Sequence, residues 1–449
     1  MAPFLGHRLL SDIVAVRGRD RINASRFLSE VHAVAQALPA ARYVLNVCAD
    51  RYRFAVGLAA AMLREQISLL PPAHTPELLR TLTPLYSGLY ALSDTGPIEA
   101  LDTMAYPAAA VPAGELIDGD IDVSRLAFPD TQLAAIAFTS GSTGAPSPHP
   151  KTWRGLTHGA IAEAQSLGLL GNSAATLVST VPAQHMYGLE STVLLALHNG
   201  LVLDAGRPFY PADIRDALEQ AAGNGVLVTT PVHLRALLAE ATVLPKLRLI
   251  LCATAPLSPE LATQAEARYH APLHEVYGFT EAGMVATRRT AHGLEWRPLP
   301  GVRLRKADDG NVWFSGGHVP AEVCATDLLE VSSSGTFVLQ GRNADLVNVA
   351  GKRTSIAYLN HQLISIEGVR DGVFFMPEER AEGVTRLIAF VVAPQMSRQE
   401  VLIELRKRID PVFLPRPLYR VDSLPRNATG KLPRDALAVL AQQSTQSAE

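Results

Sequence analysis

Six residues, Thr139-Ser140-Gly141-Ser142-Thr143-Gly144, alternate hydroxyls with glycines directly after an apolar run, Leu133 to Phe138. Glycine lets backbone N–H groups come close to an anion, and Ser and Thr add hydroxyl donors. Strand, polar glycine loop, lysine (Lys151) and helix in that order make a phosphate cradle. It is not a Walker loop, because GxxxxGK[ST] is absent. Further along, Glu281 supplies a hard oxygen ligand suited to the magnesium that nucleotide phosphates require, and Thr280 beside it a phosphate donor. Near the end, Lys431 follows Gly430 in a proline-flanked loop, an exposed, reaching cation. Taken singly, each has an ordinary reading as a surface turn, a solvated acid or a solvated lysine. The expected chemistry is the handling of phosphate groups.

The elements that must position these residues alternate. Helical spacing is expected from Ile22 to about Leu38, a strand over Tyr43–Cys48 and an all-apolar, buried helix over Phe54–Leu63. Strands are expected at 133–138, 175–181, 226–231 and 247–252, with a helix at 155–162. Such alternation predicts an α/β fold with parallel strands, whose ligands bind beyond the strand carboxyl ends. The loops His185 to Gly188, Thr229 to Pro231 and Ala253 to Pro256 are therefore candidate pocket walls. Residues 103–130 read as a connector, and Ser147-Pro148-His149-Pro150 as a spacer. Short strands and glycines over about 297–341 predict a small β-rich subdomain. The division expected is an N-terminal domain of parallel and mixed sheets, residues 1–341, and a small mobile α+β domain, residues 342–449. The polar tail Gln442–Ser447 reads as disordered.

The bulk numbers exclude several classes. A chain of 449 residues favours two or three domains. A net charge of −3 gives no electrostatic case for nucleic acid or an anionic membrane. No apolar run approaches the roughly 20 residues of a membrane span. Cys48, Cys252 and Cys324 are far apart and predict no disulfide framework. Met1-Ala2-Pro3-Phe4 lacks a signal peptide's charged start, so the expectation is a cytoplasmic protein.

Together the segments resemble the adenylate-forming superfamily of acyl- and aryl-CoA synthetases, peptide-synthetase adenylation domains and luciferases. Thr139 to Gly144 looks like its phosphate loop, Tyr277-Gly278-Phe279-Thr280-Glu281 like its Tyr-Gly-x-Thr-Glu motif, and Thr326-Asp327 like Thr-Gly-Asp without the glycine. Gly341-Arg342 and Gly351-Lys352-Arg353 resemble the hinge segment, and Pro425 to Arg434 the closing motif. The resemblance implies a two-step ligase. ATP and a carboxylate give an acyl adenylate and pyrophosphate, and a thiol then displaces AMP. Lys431 would bridge carboxylate and phosphate oxygens, Glu281 would hold magnesium, Thr280 would contact the α-phosphate, Asp327 the ribose, and Arg342 ribose or phosphate. Lys151 falls at the phosphate loop's lysine. Thr254-Ala255-Pro256 and Glu275 to Tyr277 would flank the adenine. His185 would gate the carboxylate site, and the Gly351-Lys352-Arg353 segment would face the thiol after rotation of the C-terminal domain.

Within the superfamily the chain looks most like the small ligases of aryl-polyene and xanthomonadin-type pigment pathways. That implies a hydroxybenzoate-type aryl acid loaded onto an acyl carrier protein, in a slot lined by His185, Met186, Tyr187, Thr230, Ala253, Gly278, Phe279 and Met284. The alternatives are CoA as the acceptor, a fold-retaining adenylate-binding protein without the thiol step, and a kinase with a variant loop. The departures bear on the γ-phosphate role of Lys151, and on the thiol step and the acceptor more than on adenylation. Ser147 to Pro150 intervenes before Lys151, Ala344 stands at the hinge, and Tyr358-Leu359-Asn360 replaces acidic residues.

Overall fold

A computed structural model of the chain describes residues 1–7, 9–107, 126–139, 146–171, 175–221, 223–342, 346–349, 352–377, 387–427 and 432–446. The fold is mixed α/β. Two large sheets dominate. One has six strands, with Ser147–Thr152 at its edge, then Leu133–Thr139, Ile67–Leu70, Tyr43–Asn46, Tyr90–Ser93 and Thr103–Ala105. All its pairings are parallel except the edge one, where Ser147–Thr152 runs antiparallel to Leu133–Thr139. The other has nine strands. Its centre, Ile13–Arg17, Val202–Asp204, Thr176–Ser179, Gly225–Thr229, Leu247–Cys252 and Leu273–Phe279, is parallel. Antiparallel strands close both of its edges.

Local chemistry explains the boundaries. The central strands are mostly apolar and almost wholly buried because both faces are covered. Asn23 accepts from Arg26 N and so starts the helix at Ala24–Ala37, leaving Ile22 in the preceding strand Asp20–Asn23. Asp50 likewise caps Arg51–Leu63, and Thr152 caps Trp153–Ser166. Part of the expected connector is ordered as strands Thr103–Ala105 and Ala127–Phe128. Residues 108–125 lie outside the described residues.

Two expectations are corrected. Ser147 to Pro150 is not a spacer but most of an edge strand. A proline cannot donate to a ladder, so Ser147, His149 and Lys151 carry the pairing and Pro148 and Pro150 face the unpaired side. The tail is not disordered through Gln446. It ends the helix Arg434–Gln446, whose Leu437, Leu440 and Ala441 pack on Val373, Phe375 and Phe390.

The subdomain around 297–341 holds the sheet Arg303–Lys306, Val312–Gly316 and Val319–Cys324 and the hairpin Asp327–Val331 with Phe337–Arg342. Tyr277, Trp296, Phe314 and Phe337 cluster beneath it. Beyond residue 355, strands Asp371–Phe375, Ile388–Val392 and Leu418–Arg420 form a separate sheet with its own apolar clusters. Among the described residues no helix is long and apolar enough to cross a membrane.

Candidate functional site

The parallel strands of the nine-stranded sheet deliver their following loops to one side. The strand Thr176–Ser179 leads to Pro182–Gly188, Gly225–Thr229 to Thr230, Leu247–Cys252 to Ala253–Pro256, and Leu273–Phe279 to Thr280–Gly283. A fully buried arginine fastens the first of these. Arg51 donates from Nη2 to Ser179 O at 2.8 Å and Val181 O at 3.0 Å. Its Nη1 bonds Asp204 O at 3.0 Å and Gly206 O. Nothing local in the sequence marks Arg51 for this work.

The carboxylate-slot candidates are placed as follows. His185 precedes a single helical turn, Met186–Gly188, and Tyr187 Oη donates to Thr229 O at 3.2 Å. Thr230 Oγ1 lies 2.9 Å from His233 Nδ1, with Thr180 Oγ1 3.3 Å from the same nitrogen. Burial pushes the His233 imidazole down to about 4, with Arg207 adding to the effect, so it is neutral. Ala253 and Met284 are buried, and Phe279 is half-buried with its ring 5.7 Å from Phe314. Gly278 sits where a Cβ would be 2.6 Å from Gly283 O, so the close pairing of the two antiparallel strands at their register shift requires glycine.

The nucleotide candidates are joined over long sequence separations. Tyr277 Oη donates to Asp327 Oδ2 at 2.7 Å. Asp327 starts its strand directly opposite Arg342 in register. Thr254, between Ala253 and the Ala255-Pro256 pair, has φ +81°, a left-handed conformation that is costly for a β-branched residue. Glu275 is tied elsewhere. Its Oε2 accepts from Arg288 Nε at 2.7 Å and from Thr290 Oγ1, so its carboxylate serves an internal ion pair.

At the phosphate end, strand alternation puts His149 and Lys151 on one face of the hairpin. His149 Nε2 lies 3.0 Å from Thr139 Oγ1 and 3.8 Å from Glu281 Oε1. Lys151 Nζ donates to Glu281 O at 3.1 Å and is only 8% exposed. Burial lowers its pKa against the pull of Glu190 and Glu281. The Glu281 side chain keeps 26% exposure. His149 and Glu190 were not expected from the sequence; the alternation of Ser147, His149 and Lys151 was the one available signal for His149.

Ser140 to Gly144, Gly351 and Lys431 lie outside the described residues. Lys352 and Arg353 begin the strand Lys352–Ser355, paired with Leu346–Val349. Cys48, Cys252 and Cys324 are free thiols, and burial pushes the pKa of each up.

A family model described as AMP-binding enzyme matches residues 42–326. A 4-coumarate–CoA ligase of Rhodobacter capsulatus is 31% identical over 276 residues, covering 62% of this chain and 67% of that protein. A 2-succinylbenzoate–CoA ligase of Staphylococcus epidermidis is 25% identical over 347 residues, covering 70% of this chain and 71% of that protein. The o-succinylbenzoate CoA synthetase of Bacillus subtilis, solved with its acyl-adenylate intermediate, shares the fold with a TM-score of 0.80 at 19% identity over 95% of both chains. The same enzyme solved with ATP and a magnesium ion gives 0.79 at 19% identity, over 96% of this chain and 97% of that one. With more than half of its length matched by the family model, this chain belongs to the AMP-binding enzyme family.

Proposed function

We propose that the protein is an ATP-dependent, AMP-forming ligase that joins a carboxylic acid to a thiol. The observation that carries this reading is the junction of the phosphate hairpin with the Thr280–Glu281 turn, through Lys151 Nζ to Glu281 O at 3.1 Å. That contact puts a partly buried carboxylate beside the hairpin whose loop is Thr139 to Gly144. A single protein carboxylate suits magnesium, which keeps waters and takes its other ligands from substrate phosphates. Bound there, the ion would neutralise phosphate charge.

In the first step a carboxylate oxygen bonds to the α-phosphorus of ATP as the bond to the β-phosphate breaks, and pyrophosphate leaves. Two anions must approach, so the protein's task is positioning and charge stabilisation. Lys431 supplies the bridging cation, Thr280 a donor to the α-phosphate, and the Ser140 to Gly144 backbone the cradle for the leaving phosphates. Asp327, oriented by Tyr277, takes the ribose, with Arg342 opposite it. Thr254 to Pro256 and Tyr277-Gly278 flank the adenine. In the second step the thiol sulfur bonds to the acyl carbon, AMP leaves, and the thiol proton passes to solvent. For this step we assign residues 342–449 as a mobile domain that withdraws Lys431 and presents Gly351-Lys352-Arg353.

The substrate we propose is an aryl acid of the hydroxybenzoate type, held between the His185–Tyr187 turn, Thr230, Ala253, Phe279 and Met284, and the acceptor an acyl carrier protein. The related proteins named above are CoA ligases of aryl acids, which supports the aryl assignment and makes CoA the alternative acceptor. We place the reaction in the cytoplasm. The test is acid-dependent pyrophosphate release across benzoates, hydroxybenzoates, cinnamates and fatty acids. Mass spectrometry of CoA and carrier-protein acceptors then identifies the thioester. Formation of ADP instead of AMP would rule the ligase out.

A further inference from the structure

The Thr280–Gly283 turn and its neighbour Met284 are held by a buried polar cluster in which Glu190 has no part in the proposed reaction. Four groups converge on them. Lys151 Nζ donates to Glu281 O at 3.1 Å. The Glu190 carboxylate lies so close to Gly283 that a Cβ there would be 2.6 Å from Oε1. Gly283 has φ +80°, so both its backbone conformation and Glu190 exclude a side chain. His318 Nε2 donates to Met284 O at 2.6 Å. Ser191 Oγ lies 3.6 Å from Met284 Sδ.

Glu190 is 7% exposed and sits in the π-helical segment Leu189–Leu194, immediately after the His185 turn. A π-turn widens the helix locally and lets a side chain reach what regular geometry would not. Glu190 and Lys151 share a water-poor region, and each raises the ionised population of the other. Burial pushes the Glu190 carboxyl up to about 7, against the opposing pull of Lys151. Glu163, fully buried next to this cluster, is pushed up as well.

We propose that Lys151 and Glu190 act together as the positioning device of the Thr280–Gly283 turn, setting where Glu281 presents its carboxylate to magnesium and tying that placement to the acid-binding segment that begins at His185. Lys151 is thus a positioning residue and not a phosphate ligand. The hairpin lysine turns inward, onto the carbonyl of the residue assigned to the metal. This rests on the ligase reading for the role of Glu281. Outer groups that orient a metal ligand act through it, so their loss appears in the metal dependence before it appears in nucleotide binding.

The experiment is calorimetric titration of ATP into the full-length protein, once in EDTA and once in magnesium chloride, for wild type, Lys151→Met, Glu190→Gln and the double variant. Glu190→Gln keeps side-chain shape, and circular dichroism checks each fold. Expected is an unchanged ATP affinity in EDTA and loss of about 10–100-fold in the affinity gained on adding magnesium. The double variant should be no worse than the poorer single one, because the two act as a unit. Gly283→Ala, which leaves both charges intact, should show the same magnesium-specific loss. Equal loss in EDTA and magnesium for Lys151→Met would make it a phosphate ligand and overturn the proposal, as would additive losses or an intact magnesium response. Failure of the ligase reading is separate: wild type itself would form no AMP with any acid.

Discussion

Tyr277 and Asp327, 50 residues apart, meet through a 2.7 Å hydrogen bond from the phenol to the carboxylate. The bond ties the end of the strand that carries the Thr280–Glu281 turn to the first residue of the hairpin Asp327–Arg342. Removing the phenol in Tyr277→Phe deletes a bond to a charged group, worth about 1.5–3 kcal/mol. The KM for ATP should rise roughly tenfold or more, with little change in kcat, because the contact orients a binding group. An unchanged KM in steady-state pyrophosphate release would remove Asp327 from the nucleotide site.

Lys431→Ala should reduce acid-dependent pyrophosphate exchange by about 100-fold or more, the scale seen on removing one stabilising donor from a transition state. ATP affinity measured calorimetrically should stay within about threefold, since the lysine acts where charge develops. A normal exchange rate would exclude it from the first step.

Gly278→Ala places a methyl 2.6 Å from Gly283 O and 2.8 Å from the Met284 Cα, both backbone. Neither neighbour can rotate away. Overpacking of this kind costs about 1–3 kcal/mol, and urea unfolding should report it as a lower midpoint. The strand pairing would have to open to relieve the clash, so activity should fall with stability. A variant as stable as wild type would show that the two strands have room for a methyl there.

Asp204 gives a pH-dependent test away from the site. Burial pushes its carboxyl up to about 6, against the opposing pull of Arg51. A raised folded value means the native state holds the proton more tightly than the unfolded chain. Its contribution is therefore full below the unfolded value near 3.8 and is lost as pH rises through about 6. Asp204→Asn should remove that slope, gaining on wild type by on the order of 2–3 kcal/mol between pH 4 and 7. Urea unfolding across this range measures it. Parallel curves for variant and wild type would mean that the acid is ionised throughout.

The sequence made the large frame legible because apolar runs and alternating helices speak locally. The strands at 133–139 and 247–252 and the helix after Lys151 follow from pattern alone. What escaped depends on partners far along the chain. Glu190 lies in the otherwise apolar and small-polar run from Leu189 to Leu194, and its reason for being there, the Gly283–Met284 backbone, is more than 90 residues away. The Gln442 to Gln446 turn is polar by composition, yet the apolar Leu437 and Leu440 before it anchor the helix that contains it. Ser147 to Pro150 misled in the opposite direction. Two prolines argue against a strand only when the strand has neighbours on both sides.

Those two prolines have a consequence for the protein in solution. The outermost strand of the six-stranded sheet would ordinarily offer a row of free N–H groups to any extended chain that met it, a template for fibrous self-association. Pro148 and Pro150 stand where those outward donors would be, and a proline has none to give. The hairpin that carries the phosphate loop thus ends the sheet with a border that a second molecule cannot extend.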